Sequence, residues 1–221
     1  MHNENLITDL HEERLDTVVR HLLATGAKSV LDLGCGSGAL LQQLLKEDQF
    51  ERITGIDTST EALASARDLI EMDRAASSAQ VDLLYASFTQ SNENLMGFDA
   101  AALVETIEHV APNNLSAVEF AVFACYRPKV VIVTTPNQEY NINYGIGPGK
   151  FRHLGHQFEW SRRKFQRWSN GVACRNGYSV IFLDIGEPDP ILGSPTQMAK
   201  FTLICFCLLY TSPSPRDRQK S

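Results

Sequence analysis

The chain has 221 residues, 43% of them apolar and 21% charged, with twenty basic side chains against twenty-six acidic ones. That composition supports one sizeable core and excludes a disordered, collagenous or coiled-coil chain. A net charge of −6 leaves no global basic footprint for nucleic acid, so any RNA or DNA contact has to come from a local patch.

Apolar residues at 15, 18, 19, 22 and 23 have helical spacing and predict a helix over Leu10–Leu23, closed by Gly26. A short buried strand follows over Ser29–Leu33, then a helix over Gly38–Lys46. Arg52–Ile56 reads as a second strand and Ser59–Met72 as a helix opened by a Ser/Thr cap. Val81–Tyr85 and Ala100–Val104 read as strands, Leu115–Cys125 as a helix, and Val130–Val133 as a fully buried strand. A loop of about twenty residues rich in Asn, Gly and Tyr follows Pro136, a length associated with function or mobility. A helix over Arg162–Arg175 and strands over Ser179–Leu183 and Ala199–Phe206 complete the pattern. Strands alternating with helices predict a parallel α/β sheet.

Residues 1–207 are thus expected to form one domain. From about Leu208 the sequence turns to Pro and Ser punctuation with alternating charge, which reads as a disordered or adaptor-like, non-native tail over 208–221. No apolar run approaches the roughly 18–20 residues of a membrane span, and Met1-His2-Asn3-Glu4 lacks the layout of a secretory signal. The cysteines, at 35, 125, 174, 205 and 207, are odd in number and form no Cys-x-x-Cys pair. Reduced thiols and a cytoplasmic location are the expectation.

Two stretches carry chemistry at the ends of the early strands. Val30-Leu31-Asp32-Leu33-Gly34-Cys35-Gly36-Ser37-Gly38 runs a strand into a turn with Gly at alternate positions, then into a helix. Glycines let the backbone turn sharply and let a ligand approach the amides. The pattern resembles the S-adenosylmethionine-binding turn of class I methyltransferases more than a dinucleotide site, with Asp32 suited to an ammonium group. Asp57, about twenty residues on, closes the next strand, where an acid can accept both hydroxyls of a ribose. The alternative is a plain helix cap. Ser87, past the following strand, stands where folds of the kind this turn resembles contact the adenine.

Glu105-Thr106-Ile107-Glu108-His109 follows the strand Ala100–Val104. On a helical turn, positions i, i+3 and i+4 share a face, so Glu105, Glu108 and His109 would converge. Two carboxylates and one imidazole suit Mg²⁺ or Mn²⁺ better than zinc. A solvated charged face is the plain alternative, but the carboxyl end of a central strand is where open α/β sheets place their sites. Phe151-Arg152-His153-Leu154-Gly155-His156-Gln157-Phe158-Glu159-Trp160 adds two histidines after the long loop.

Over roughly residues 10–207 the chain resembles the HEN family of small-RNA 3′-terminal 2′-O-methyltransferases, in its single-domain form. The distinctive residues are Glu105-x-x-Glu108-His109, Thr134-Thr135-Pro136-Asn137-Gln138-Glu139-Tyr140-Asn141, and His156-Gln157-Phe158-Glu159-Trp160. The resemblance implies a class I fold, with a mostly parallel Rossmann-like sheet covered by helices on both faces. It implies S-adenosyl-L-methionine as methyl donor and one Mg²⁺ or Mn²⁺ held by the catalytic residues Glu105, Glu108, His109 and His156. Cofactor binding is expected at Asp32, Gly34, Gly36, Gly38, Asp57 and Ser87. The implied substrate is small single-stranded, piRNA-like RNA ending in a free 2′,3′-diol, with a Piwi- or Argonaute-type protein as a partner and a monomeric enzyme. Gly155 stands where the family usually has Asp, which removes a carboxylate expected behind the ligands.

Between Lys150 and Gly177 lie seven basic residues against one acid, Glu159. Arg152, Arg162, Arg163, Lys164 and Arg167 are the expected RNA contacts, with Trp160, Phe165, Trp168 and Tyr178 interleaved as stacking faces or as core. Two other readings are a methyltransferase acting on a small molecule, which would not need the basic helix, and an inactive methyltransferase-like module that binds RNA or a protein.

Overall fold

The structure is a computed structural model; it describes residues 2–73 and 77–204, with side chains from residue 9 onward. The expected tail over 208–221, Cys205 and Cys207 lie outside the described residues. Helix α1 (His2–Leu23) starts eight residues before the predicted boundary, because no Gly or Pro interrupts the polar stretch ahead of its apolar face. Gly26 closes it in the left-handed conformation, φ 73°. The chain continues as β1 (Ser29–Leu33), α2 (Ala39–Leu44), β2 (Arg52–Asp57), α3 (Thr60–Asp73) and β3 (Gln80–Tyr85). Ser59 caps α3, its Oγ accepting the Ala62 amide at 3.1 Å.

After β4 (Ala100–Val104) comes α4 (Leu115–Glu119), which widens into π-helical turns over Phe120–Tyr126 rather than continuing as one regular helix. Strand β5 (Val130–Pro136) runs three residues beyond the predicted strand. The long loop holds 3₁₀ turns over Gln138–Tyr144 and leads to α5 (Arg162–Asn176), β6 (Tyr178–Ile185) and β7 (Thr196–Leu203). The last strand starts three residues before the predicted one.

The seven strands form one sheet in the order β3-β2-β1-β4-β5-β7-β6. The expectation of a parallel sheet holds except at β7, which is antiparallel to both neighbours. No helix separates β6 from β7, and a short connection can only return the chain antiparallel. Both faces are covered, which is why β4 and β5 read as unbroken apolar runs. Val30, Ile53, Ala100, Ala102, Val130 and Ile132 face α1, α2 and α3. Leu31, Ala101, Leu103, Val131 and Val133 face the other way, against Val118, Phe123, Phe165 and Val172.

The strand order reverses direction between β1 and β4, so the carboxyl ends of β1, β2, β4 and β5 open onto one crevice. Among the described residues no helix is long and apolar enough to cross a membrane, and Cys35, Cys125 and Cys174 are free thiols.

Candidate active site

Two adjoining cavities occupy that crevice. The first, about 620 Å³, is lined by the glycine turn (Gly34, Cys35, Gly36, Ser37), by Asp57 and Thr58, and by Ala86–Thr89. Gly34 and Gly36 have φ values of 86° and 52°, and a Cβ on Gly34 would lie 2.5 Å from Thr106 Cγ2. The turn therefore requires glycine on both conformational and steric grounds. The Gly34 and Cys35 amides both donate to the Ile56 carbonyl at 2.9 Å, which ties the turn to the end of β2.

Asp57 does not cap α3; Ser59 does that. Its carboxylate accepts from the Gly36 amide and the Ser59 amide, each at 2.9 Å, and keeps free lone pairs toward the cavity it lines. Ser87 lines the same cavity, with its hydroxyl paired to Thr89 Oγ1 at 2.7 Å. Gly38, with φ 90°, packs against Ala66 and carries the turn into α2. Asp32 departs from expectation, since it is buried within β1 and is absent from the cavity wall. One of its carboxylate oxygens has no partner among the described residues. Burial, then the nearby Asp57 charge, pushes its carboxyl up to about 7.

The second cavity, about 550 Å³, is lined by His11 and Arg14 of α1, by Glu105, Glu108 and His109, and by Tyr144, Arg152, His153 and His156. The sequence placed Glu105 on a helical turn with Glu108 and His109. In the structure only Ile107–His109 form a turn, a single 3₁₀ one, and Glu105 precedes it in the left-handed region at φ 53°. The chain must leave β4 abruptly there, and a non-glycine residue in that region persists only where its surroundings hold it.

Strand register supplies the hold. Val104 pairs with Thr134, so Glu105 falls beside Thr134; its amide donates to Thr134 Oγ1 at 3.1 Å and its carboxylate accepts that hydroxyl at 3.0 Å. Arg14 Nε lies 3.4 Å from the same carboxylate while its NH2 group donates to Thr196. The next residue, Thr135, donates to Glu108 Oε2 at 2.9 Å.

Glu108 is fully buried, and its Oε1 has no hydrogen-bond partner among the described residues. Burial, with Glu105 adding its charge, pushes this carboxyl well above the usual carboxylate range. A buried unpartnered carboxylate oxygen is costly unless a cation completes it. His109, His153 and His156 supply nitrogens within 4.8 Å of one another beside it. Partial enclosure and then the neighbouring His156 lower the His109 pKa, which favours the neutral, ligating form. A donor set of carboxylates and imidazoles fits a divalent cation. Glu105 and Glu108 are outside the tight histidine group, although all five side chains line one cavity.

Behind the histidines lies a network absent from the sequence reading. Glu159, quoted there within the His156–Trp160 motif and as one acid in a basic stretch but given no role, is 4% exposed and accepts from His156 Nδ1 at 2.7 Å. Burial opposes its charge, but bonds from His156, Asn141 and the Arg152 amide outweigh it and hold the carboxyl below its usual value. A carboxylate therefore stands behind one histidine even though residue 155 is glycine.

The basic patch is also redrawn. Arg152 donates to Asn141 and to the Pro195 and Asn137 carbonyls, and Arg162 donates to Glu139 and to the Ile191 carbonyl. These two guanidinium groups are tied to protein partners, Arg152 in the cavity wall and Arg162 in a partly exposed ion pair, whereas Arg163, Lys164 and Arg167 are exposed on α5. Trp160, Phe165 and Tyr178 are buried in the core, so they are not stacking faces.

The general methyltransferase-domain family matches residues 30–129, which hold the glycine turn and the first acids. A small RNA 2′-O-methyltransferase of Xenopus tropicalis is 32% identical over 202 residues, covering 87% of this chain and 54% of that protein. The chain thus spans about half the length of the curated relatives it matches. The crystal structure of the methyltransferase domain of bacterial CtHen1-C is 46% identical, with a TM-score of 0.80 over 89% of this chain and 100% of that one. That of the small RNA methyltransferase HEN1 is 30% identical, with a TM-score of 0.82 over 88% of this chain and 26% of that one. These likenesses run well past residue 129, through the segment that carries His156 and Glu159. The fold is that of a class I S-adenosylmethionine-dependent methyltransferase, and the chain belongs to the Hen1 family of small RNA 2′-O-methyltransferases.

Proposed function

We propose that this domain methylates the 2′-oxygen of the 3′-terminal ribose of small single-stranded RNA, using S-adenosylmethionine and a divalent cation, Mg²⁺ or Mn²⁺. The observation that carries the reading is a shared wall: His11, Glu105 and His109 line both cavities. A methyl donor over the glycine turn and a nucleotide among the acids and histidines would meet there, and holding two reactants in contact removes much of the barrier. The donor supplies an electrophilic methyl group. Glu105, Glu108, His109 and His156 would hold the cation, whose chemistry is to lower the pKa of a ribose hydroxyl.

The chain's own residues do the rest. Asp57 offers its free lone pairs to the ribose of the donor. Thr134 and Thr135 hold the two acids in place, and Arg14 balances the Glu105 charge from α1. Arg163, Lys164 and Arg167 form the exposed positive face for phosphates. A ribose with both hydroxyls free presents two oxygens to this cavity, so the favoured substrate is a 2′,3′-diol end. A piRNA-like RNA presented to a monomeric, cytoplasmic domain by a Piwi- or Argonaute-type protein completes the reading.

The test is methyl transfer to a short single-stranded RNA with a 2′,3′-diol, a 3′-phosphate or a 3′-deoxy end, with and without chelator. Transfer is expected on the diol alone and only without chelator. Transfer that persists in chelator removes the cation from the reading, and methylation at internal positions moves the substrate to another class.

A further inference from the structure

We propose that Glu159 is the positioning residue for His156, fixing its imidazole with the proton on Nδ1 and presenting Nε2 to the cavity. The proposal deepens the cation site proposed above and rests on it. His156 Nδ1 lies 2.7 Å from Glu159 Oε1, and both side chains are nearly closed to solvent, at 8% and 0% exposed. A carboxylate in that bond only accepts, so Nδ1 carries the hydrogen, and in the neutral ring Nε2 is the nitrogen that keeps its lone pair.

Glu159 cannot swing away from this task. The Arg152 amide donates to the same Oε1 at 2.6 Å, and Asn141 Nδ2 donates to Oε2 at 2.5 Å. Asn141 is held in turn by Arg152 Nε, which donates to its Oδ1 at 2.6 Å. Two further Arg152 nitrogens donate to the Pro195 and Asn137 carbonyls, which anchors the whole assembly to the base of β7 and the end of β5.

The two neighbouring histidines supply an internal comparison. His109 Nδ1 donates to the Gly155 carbonyl at 3.2 Å, which gives it the same tautomer as His156. His153 Nδ1 instead accepts the Gly155 amide at 3.0 Å, so its hydrogen belongs on Nε2. The loop thus sorts three clustered imidazoles into two with a lone pair at Nε2 and one with a hydrogen there. That separates His153 from the ligands, in keeping with ring centroids 5.8 and 5.6 Å from His109 and His156 against 4.9 Å between those two.

Long-range proton–nitrogen NMR of the histidine rings, recorded on the metal-free full chain, tests the assignment without any substitution. His156 is expected protonated at Nδ1 and His153 at Nε2. In Glu159→Gln the His156 signals should spread over both tautomers, and the Kd for Mn²⁺ by calorimetry should weaken roughly 10–100-fold, with affinity for S-adenosylmethionine unchanged. A wild-type His156 protonated at Nε2, or an unchanged Mn²⁺ affinity in folded Glu159→Gln, overturns the proposal. Absence of Mn²⁺ binding by the wild-type chain overturns the cation reading itself, which the tautomer measurement tells apart from failure of the Glu159 assignment.

Discussion

The two cavities of the crevice are assembled in different ways. Apart from the shared wall of His11, Glu105 and His109, the polar atoms around the glycine turn are main-chain amides and short side chains at the ends of β1, β2 and β3. The neighbouring cavity takes charged side chains from α1, the end of β4, the long loop and its histidine segment. Its acids are held by side-chain bonds across the sheet, Thr134 to Glu105 and Thr135 to Glu108, and by an arginine from α1. One cavity is fixed by backbone geometry; the other stands or falls with individual hydrogen bonds. Damage on one side should therefore leave the other measurably intact.

The widest separation is expected from removing two proposed ligands together. Glu108→Ala with His156→Ala, two residues that line only the second cavity, should lower methyl transfer by more than about 100-fold, since losing even groups behind metal ligands costs about 10–100-fold. Affinity for S-adenosylmethionine, read by calorimetry, should change little. Equal loss of donor affinity would merge the two cavities into one unit.

On the donor side, Asp32 gives a signature in pH. Its carboxyl is raised to about 7 in the folded chain, against about 3.9 for an unperturbed Asp. Between those values the folded state binds more protons than the unfolded one, so stability falls as pH rises through about 4 to 7 and then levels off. Asp32→Asn should flatten that slope and stabilise the ligand-free chain near neutral pH by a few kcal/mol, on the order of the linkage energy. Denaturant titrations at pH 5 and 7.5 check it; an unaltered slope would place the titration elsewhere.

Gly34→Ala probes the wall between the cavities. The new Cβ would meet Thr106 Cγ2, one residue from Glu105, and φ 86° is strained for alanine. A loss of about 1–3 kcal/mol in stability is expected, the usual cost of one residue in a sparse region. Donor affinity should fall most, with a smaller fall for Mn²⁺ transmitted through Thr106. A change confined to Mn²⁺ would reverse the assignment of the turn.

The same contrast explains what the sequence reveals. Gly34, Gly36, Gly38 and Asp57 are legible because a strand–turn–helix encodes its function within some 25 residues, and β4 and β5 announce burial by unbroken apolar runs. Glu105, Glu108 and His109 were legible as candidates from their spacing at the end of a central strand, and His156 through family resemblance. Their supports were not, because Thr134 meets Glu105 across 29 residues and Arg14 meets it only through the packing of α1. Glu159 stood in the quoted His156–Trp160 motif, three residues after a histidine, but the motif by itself gave it no partner and a count of net charge gave it no role. Charge counting also misjudged Arg152 and Arg162, since it carries no information on burial or on carbonyl partners. Asp32 was expected at the ligand, but strand alternation buries it behind the turn.

The smallest effects are expected on α5, which touches neither cavity directly. Arg163, Lys164 and Arg167 lie on its exposed face, whereas Arg162 is bound to Glu139 and to the Ile191 carbonyl. Each exposed cation that neutralises a phosphate releases counterion, about 0.7 per contact for a single strand. Replacing one of the three by alanine should therefore reduce the salt slope of RNA affinity by about 0.7 and weaken binding a few-fold at moderate salt. Neither S-adenosylmethionine nor Mn²⁺ affinity should respond. Arg162→Ala should behave differently, lowering thermal stability because Glu139 and a carbonyl lose their partner, with little change in the slope. Fluorescence anisotropy of a labelled RNA across a salt series, run beside thermal melts, distinguishes the two classes. An unchanged slope in all three exposed variants would make this face a solvated surface and send the search for the RNA contacts back to the rim of the acid–histidine cavity.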